Sequence, residues 1–327
     1  ADTSLIIPIE VEKVEIIKGP ASVFYGKNTS GGTVAYHTFQ SGDFTKMNIR
    51  YGSFQTADIS GIIARQDGRL DSVYAFQIFH TDGYRDNSDW DRQNFSGRWT
   101  YNVSDKLKFS LNLRAAESTW NSAGYIPFGA PKKSAVDDGS GQGNGGERSR
   151  FDARLWANYE LDEHSQFTAY AFSTDLDNTR YDMRLPATPT SGSDQKNTRT
   201  AWGTGVLYNF KGELAERELA FTTGLEYLSE KEERDQWRLT WGTGRTQGAK
   251  FKDYVYTLDT LSWYAEANYQ IVEPVKLRAG VRYDKFSGEM DTGTGETALA
   301  ADSHYKAKER DVFTPKLGVS YTPTDWI

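Results

Sequence analysis

The chain has 327 residues, 38 of them basic and 45 acidic, and the net charge of −7 argues against a nucleic-acid partner, because phosphate contacts need clustered Lys and Arg. There is no cysteine, which excludes disulfides, thiolate metal sites and a cysteine nucleophile. Mean hydropathy is −0.67 and no apolar run approaches the ~20 residues of a spanning helix, yet 9 Trp, 19 Tyr and 17 Phe bring the aromatic share to 14%, so apolar surface must be laid out in alternation rather than in blocks.

The chain opens on Ile6, Ile7, Ile9 and Val11, which read as a strand. No basic-then-apolar leader pattern precedes them, so the expectation is a removed leader or an internal piece of a longer chain. Val11, Val14, Ile16 and Ile17 continue as a short strand that Gly19-Pro20 stops, since proline has no N–H to give. Ala21–Tyr25 suits one helical turn ended at Gly26. Gly31-Gly32 permits a tight turn into a second strand, Thr33–Thr38. The unit is too short to be a domain and has no alternating face.

From about residue 44 the sequence settles into period-2 alternation. Leu107, Phe109, Leu111 and Leu113 share one face, with Lys108, Ser110, Asn112 and Arg114 on the other. Trp263, Ala265, Ala267 and Tyr269 alternate with Ser262, Tyr264, Glu266 and Asn268. About twelve strands follow, near 44–53, 55–66, 70–81, 92–103, 106–118, 148–161, 165–178, 198–211, 217–231, 258–272, 274–287 and 312–322.

A soluble β-sandwich would alternate too, but two features favour an up-and-down transmembrane barrel. Connections alternate between short (Asn102–Asp105, Asp162–His164, Gly212–Glu216, Glu273) and long (Glu117–Glu147, Leu176–Asn197, Glu232–Thr257, Ser287–Asp311), as in barrels with short periplasmic turns and long extracellular loops. Strands heading for the short turns carry Trp99 and Tyr101, Tyr159, Tyr208 and Phe210, Tyr269, or Tyr321, the positions of an interfacial girdle. The fold class read from the residues is therefore all-β, an antiparallel barrel with a polar, doubly charged lumen.

The segment before the barrel resembles the end of the plug domain of TonB-dependent outer-membrane receptors. The matching positions are Val11, Glu12, Val14, Glu15, Ile17, Gly19, Pro20, Ser22, Tyr25, Gly26, Gly31 and Gly32. The resemblance implies a plug inside a barrel of 22 strands, with residues 1–40 as the C-terminal part of the plug and 41–327 as the N-terminal half of the barrel, about twelve strands of the set. It implies active import across the Gram-negative outer membrane of a scarce nutrient, most often a ferric siderophore, so that the ligand is an iron chelate and no intrinsic cofactor is needed. It further implies coupling to a TonB–ExbB–ExbD complex through an N-terminal box upstream of Ala1. A passive porin or small complete barrel, and a soluble carbohydrate-binding β-protein, are the competing readings; a porin has no use for residues 9–34.

In that family basic plug residues pair with wall glutamates. The resemblance therefore makes Lys13 and Lys18 the plug side of a lock, with lumen-facing Glu226 and Glu266 as partners. Aromatics in water-facing loops are costly unless they bind something or pack together, which makes Tyr84, Trp90, Trp120, Tyr125, Tyr181, Trp237 and Trp241 candidate ligand contacts, with Arg184 attracting an anionic chelate. The four histidines are scattered without metal or triad spacing, and no paired-carboxylate or nucleophile arrangement stands out, so no catalytic or metal site is expected.

Overall fold

Pro8 decides where the first strand begins. In the computed structural model, which describes residues 6–19, 22–25, 29, 31–123, 143–182, 192–241, 245–293 and 303–322, Pro8–Glu10 forms a 3₁₀ turn, and the strand anticipated from Ile6 begins only at Val11. Proline at the first position of the turn has its φ preset and lacks the N–H that a ladder would need.

Strand β1 (Val11–Lys18), the single turn α1 (Ser22–Tyr25) and strand β2 (Gly32–Thr38) follow, and β1 and β2 pair antiparallel as a two-stranded sheet of their own. The glycines earn their positions by geometry. Gly32 has φ +129°, and a Cβ there would lie 2.4 Å from the Ile17 carbonyl oxygen.

The rest is one antiparallel sheet in chain order: β3 (Phe44–Tyr51), β4 (Ala57–Asp67), β5 (Leu70–Thr81), β6 (Trp90–Asn102), β7 (Leu107–Asn121), β8 (Gly145–Glu160), β9 (Ser165–Asp182), β10 (Gly192–Leu214), β11 (Arg217–Trp241), β12 (Arg245–Val272), β13 (Val275–Thr292), β14 (Ser303–Lys306) and β15 (Arg310–Tyr321). Each anticipated strand has its counterpart. The addition is β14, which pairs with the outer end of β13 while β15 pairs with its inner end.

The anticipated long connections shrink. β11 runs to Trp241 and β12 starts at Arg245, with the ladder intact across most of the stretch first read as a loop, 232–257. The same happens where β9 reaches Asp182 and β10 begins at Gly192. Backbone pairing continues beyond the lipid-facing stretch, where the apolar period that identifies a strand gives way to charged and polar residues while the strand itself does not end.

Parity sorts the side chains. Phe95, Phe109, Leu111, Phe151, Leu155, Tyr159, Phe167, Val206, Leu225, Leu261 and Trp263 all lie exposed on one face. An apolar band of this extent is far beyond what water tolerates on a monomer and is the lipid face of a barrel. The aromatics beside the short turns lie in register on that face: Tyr159 pairs with Phe167, and Phe167 with Tyr208. No helix among the described residues is long and apolar enough to cross a membrane.

The opposite face holds buried Ser60, Gln77, Asn94, Ser96, Ser110, Ser262, Glu266, Arg282 and Asp284. It is not uniformly polar. Ile62 and Ala64 of β4 and Val73 and Ala75 of β5 form an apolar patch on which Ile7, Ile9 and Phe39 pack. The N-terminal segment also touches β12, β13 and β15 through α1. It therefore lies against the inner face at both ends of the sheet, and the Phe39 N–H closes the unit onto the Glu10 carbonyl at 3.0 Å.

The two faces make a contrast that can be measured. Leu155→Arg on the lipid face is expected to destabilise by about 2–4 kcal/mol, whereas Gln66→Arg, at an exposed position of inner parity on β4 opposite Asp71, is expected to stay within about 1 kcal/mol. Denaturant unfolding in detergent micelles checks this, and equal losses would remove the lipid assignment of that parity.

Candidate functional site

Among the described residues, three charged clusters on the inner face bear on the N-terminal segment and the mouth. The first is where the N-terminal segment meets the wall. Glu10 is buried at 3% exposure. Its carboxylate accepts from the Ser96 hydroxyl at 2.6 Å and from Arg114 Nη2 at 2.5 Å, with the Ile7 N–H at 3.4 Å. β6 and β7 supply these partners from inward positions that the alternation dictates. A buried carboxylate is tolerable only when paired and hydrogen-bonded, and here both conditions are met across the boundary between segment and sheet.

The second place lies under α1. Arg282, 6% exposed, donates through Nε to both Asp284 oxygens at 2.9 and 3.1 Å, through Nη1 and Nη2 to Glu226 Oε2 at 3.4 Å each, and through Nη1 to the Val23 carbonyl at 3.2 Å. Ser262 donates to Asp284 at 2.6 Å, and Tyr170 donates to Glu226. The two tyrosines beside this cluster, Tyr170 and Tyr264, lie over glycines of the neighbouring strand; a Cβ at Gly205 or Gly224 would fall 2.6 Å from the ring it faces. Phe24 of α1 meets Tyr264 edge to face at 5.9 Å.

These contacts correct the anticipated lock. Lys13 lies 3.9 Å from Glu15 on its own strand, and both are substantially exposed. Lys18 is exposed and makes no ion pair with a wall glutamate among the described residues. Glu226 is held by Arg282 and Tyr170, and Glu266 by Arg278 at 2.6 Å, all within the sheet. The boundary is crossed with reversed sign: the segment contributes a carboxylate and a carbonyl, the wall two arginines. A lysine on the exposed side of a two-stranded sheet gains nothing from burial. Glu10 was missed because the only signal for it is a carboxylate set among Ile7, Ile9 and Val11.

Of the segment's motif residues, Gly19 (φ +83°), Gly31 and Gly32 form the turns around α1. Ser22 and Tyr25 are the ends of α1. Pro20 and Gly26, and the side chains of Ser22 and Tyr25, lie outside the described residues.

The third place is the outer end of the inner face. Trp90 and Trp120 are directly paired across β6 and β7. They line a cavity of about 400 Å³ together with Arg92, Asn94, Ser118 and Arg148. Arg92 lies over the Trp90 ring at 4.9 Å and Arg148 over Trp120 at 5.7 Å, and the Trp90 indole N–H donates to Ser118 at 2.6 Å. The remaining candidates go elsewhere. Tyr84 packs on Phe54 at 5.7 Å. Tyr181 and Trp237 fall on the other parity and stack with Arg245 and Lys250 at 3.4 and 5.3 Å. Trp241 ends β11, and its side chain, like Tyr125 and Arg184, lies outside the described residues.

All four histidines are engaged: His37 with Glu15 at 3.2 Å, His80 with Asp91 at 2.7 Å, His164 with the Lys211 carbonyl at 2.9 Å, and His304 with Asp291 at 2.6 Å. No group of carboxylates and histidines among the described residues is arranged to hold a metal ion.

Comparison with known proteins adds three findings. The family model "TonB dependent receptor-like, beta-barrel" matches residues 24–327. A hemin receptor of Yersinia pestis is 25% identical over 345 residues, covering 100% of this chain and 46% of its own, and a ferric enterobactin receptor of Pseudomonas aeruginosa is 30% identical over 95 residues, 28% of this chain. The crystal structure of the siderophore receptor PiuA from Acinetobacter baumannii superposes with a TM-score of 0.81 at 16% identity, over 97% of this chain and 52% of that one. The chain spans about half the length of the hemin receptors it matches end to end.

Two outcomes follow. Arg114→Ala strands the buried Glu10 carboxylate and is expected to cost about 3–5 kcal/mol of segment docking, with Glu10→Gln costing less because no charge is left unpaired. Amide exchange across Val11–Lys18 reads this, and unchanged protection in both variants would dismiss Glu10 as the anchor. Separately, the Asp291 hydrogen bond and charge raise the His304 pKa above 6.5, with Glu289 and Lys306 adding opposing smaller effects. A raised pKa gives stability that is full below pH 6.5 and fades as pH climbs through the folded value. Exchange protection of Ser303–Lys306 should therefore fall between acid and alkaline buffer, and Asp291→Asn should flatten that dependence.

Proposed function

The chain belongs to the TonB-dependent receptor-like β-barrel family, whose place is the Gram-negative outer membrane, and we propose that it forms the plug end (residues 1–40) and barrel wall (41–327) of a receptor that binds a ferric siderophore and imports it with energy transmitted by a TonB–ExbB–ExbD complex. The observation that carries the ligand class is the outer cavity. Two indole rings, each with a guanidinium over it, offer flat apolar faces beside fixed positive charge on a chain that is otherwise net negative. An anionic chelate with planar aromatic arms has the complementary surface. The iron arrives as cargo, so no resident cofactor is required.

Hemin is the second reading, favoured by the match to hemin receptors over the whole chain. Against it, each histidine already has a carboxylate or carbonyl partner, and none lines the Trp90–Trp120 cavity.

The test is iron-limited growth of a receptor-deficient strain carrying the full-length receptor, supplied with ferric catecholates, ferric hydroxamates or hemin. Growth on a ferric siderophore is expected, with Trp90→Ala or Trp120→Ala weakening half-maximal supply about tenfold, on the scale of one lost aromatic or cation–π contact of about 1.4 kcal/mol. Growth on hemin alone would replace the siderophore reading with the second one.

A further inference from the structure

Below the mouth, a second cavity of about 540 Å³ opens between β2 of the N-terminal segment and the wall strands β6 to β9. Its place is far from the first. Arg98 is eight residues from Trp90 along β6, or about 26 Å at the rise of an extended strand, and lies close to the short turn after Asn102.

Four arginines face this cavity, and the structure divides them into pairs. Arg114 is neutralised by Glu10 at 2.5 Å, and Arg150 is held bidentate by Asp152 at 2.8 Å on both arms. Arg98 and Arg154 have no such partner: among the described residues neither makes a hydrogen bond or ion pair, and the Arg98 Nε is buried without an acceptor. What they share is a ring. Both guanidiniums lie over Trp156, at 5.4 and 5.3 Å, and Arg154 also lies over Phe172 at 5.2 Å.

Aromatic faces hold two like charges side by side and leave their N–H edges free. A ring contact holds each guanidinium near the indole but satisfies none of its donors. The buried Arg98 Nε has no acceptor, which is costly, while Arg154 is exposed, and two cations on one ring repel. An anion that accepts from both forks removes both costs together. A planar carboxylate matches one fork bidentately, and two forks fixed on one indole match a ligand with more than one carboxylate.

We propose that Arg98 and Arg154, set on Trp156, form a second anion subsite deep in the lumen, which takes a polycarboxylate. The subsite rests on the receptor reading only for the ligand's route into the lumen. It places a second station of positive charge between the mouth and the N-terminal segment, next to the Glu10–Arg114 pair, so that an anion bound there lies against the very contact that holds the segment to the wall.

The test uses the full-length receptor in detergent micelles and tricarballylate, a tricarboxylate without a hydroxyl chelating arm, as the probe. Binding is followed by tryptophan fluorescence and by calorimetry. Saturable binding is expected, weakened at least tenfold in Arg98→Gln and in Arg154→Gln and unchanged in Lys276→Gln, which removes an exposed positive charge paired with Glu218, with far-ultraviolet circular dichroism verifying the sheet in every variant. The fluorescence response should disappear in Trp156→Phe while calorimetric binding persists. Absence of saturable binding to the parent, or parent-like affinity in either glutamine variant, overturns the subsite. Uptake in the growth experiment separates the two ideas: no tricarballylate binding with normal siderophore supply sinks the subsite alone, and binding without any supply leaves the subsite standing and sinks the receptor reading.

Discussion

A bilayer offers a backbone no hydrogen-bond partner, and the rest of this structure depends on that fact. Each strand from β4 to β13 is paired on both sides, and the pairing persists for up to 28 residues in β12. Once the ladder is obligatory, side chains have only two directions to go. One parity meets hydrocarbon and carries Phe, Leu, Val and Trp. The other meets the lumen and carries Ser, Asn, Arg and Glu. Low mean hydropathy and frequent aromatics are then the same fact seen twice: half of each strand is apolar, and the rings among that half collect beside the short turns, where the hydrocarbon ends.

The lumen is not left to water. The N-terminal segment lies on the inner face and is held by means that differ from place to place. Near β4 and β5 it packs by apolar contact through Ile7, Ile9 and Phe39. Against β6 and β7 it is held by one buried carboxylate, and at β13 by one arginine reaching a helix carbonyl. Apolar contact is tolerant of sliding; the Glu10 and Arg282 contacts are not, because displacement leaves charge without a partner in a low-dielectric setting. At both contacts the arginine stands on the wall and the acceptor on the segment.

Elsewhere on the inner face the recurrent unit is a guanidinium over an indole. It occurs at the mouth with Arg92 on Trp90 and Arg148 on Trp120, and near the short turns with Arg98 and Arg154 on Trp156. At the mouth the same guanidiniums also donate, Arg92 to Gln77 and Arg148 to Asn178, so ring contact and hydrogen bond together hold the charge in place. A chain of net −7 thereby keeps local positive stations along its lumen.

Much of this was legible in the residues. Alternation located the twelve long strands in order, and the Gly31-Gly32 turn marked the boundary of β2, because both signals are local. The upper halves of β9 to β12 were not legible, since beyond the lipid-facing stretch the apolar period gives way to charged and polar residues and the ladder leaves no mark in the sequence. Nor was the contact set: Lys13 and Glu226 bear suitable charges, yet β1 turns Lys13 to the exposed side and Arg282 takes Glu226 first. Trp90 and Tyr181 looked alike as loop aromatics, and only strand parity sent one inward and the other outward. By itself the sequence determined that the chain forms alternating strands with a lipid face, a charged face and a short glycine-framed unit ahead of them, since period and turn chemistry are properties of neighbouring residues. Only the tertiary structure decided which charges meet, because Glu10 and Arg114 stand 104 residues apart in the chain and are brought within 2.5 Å by a sheet that bends around the segment it holds.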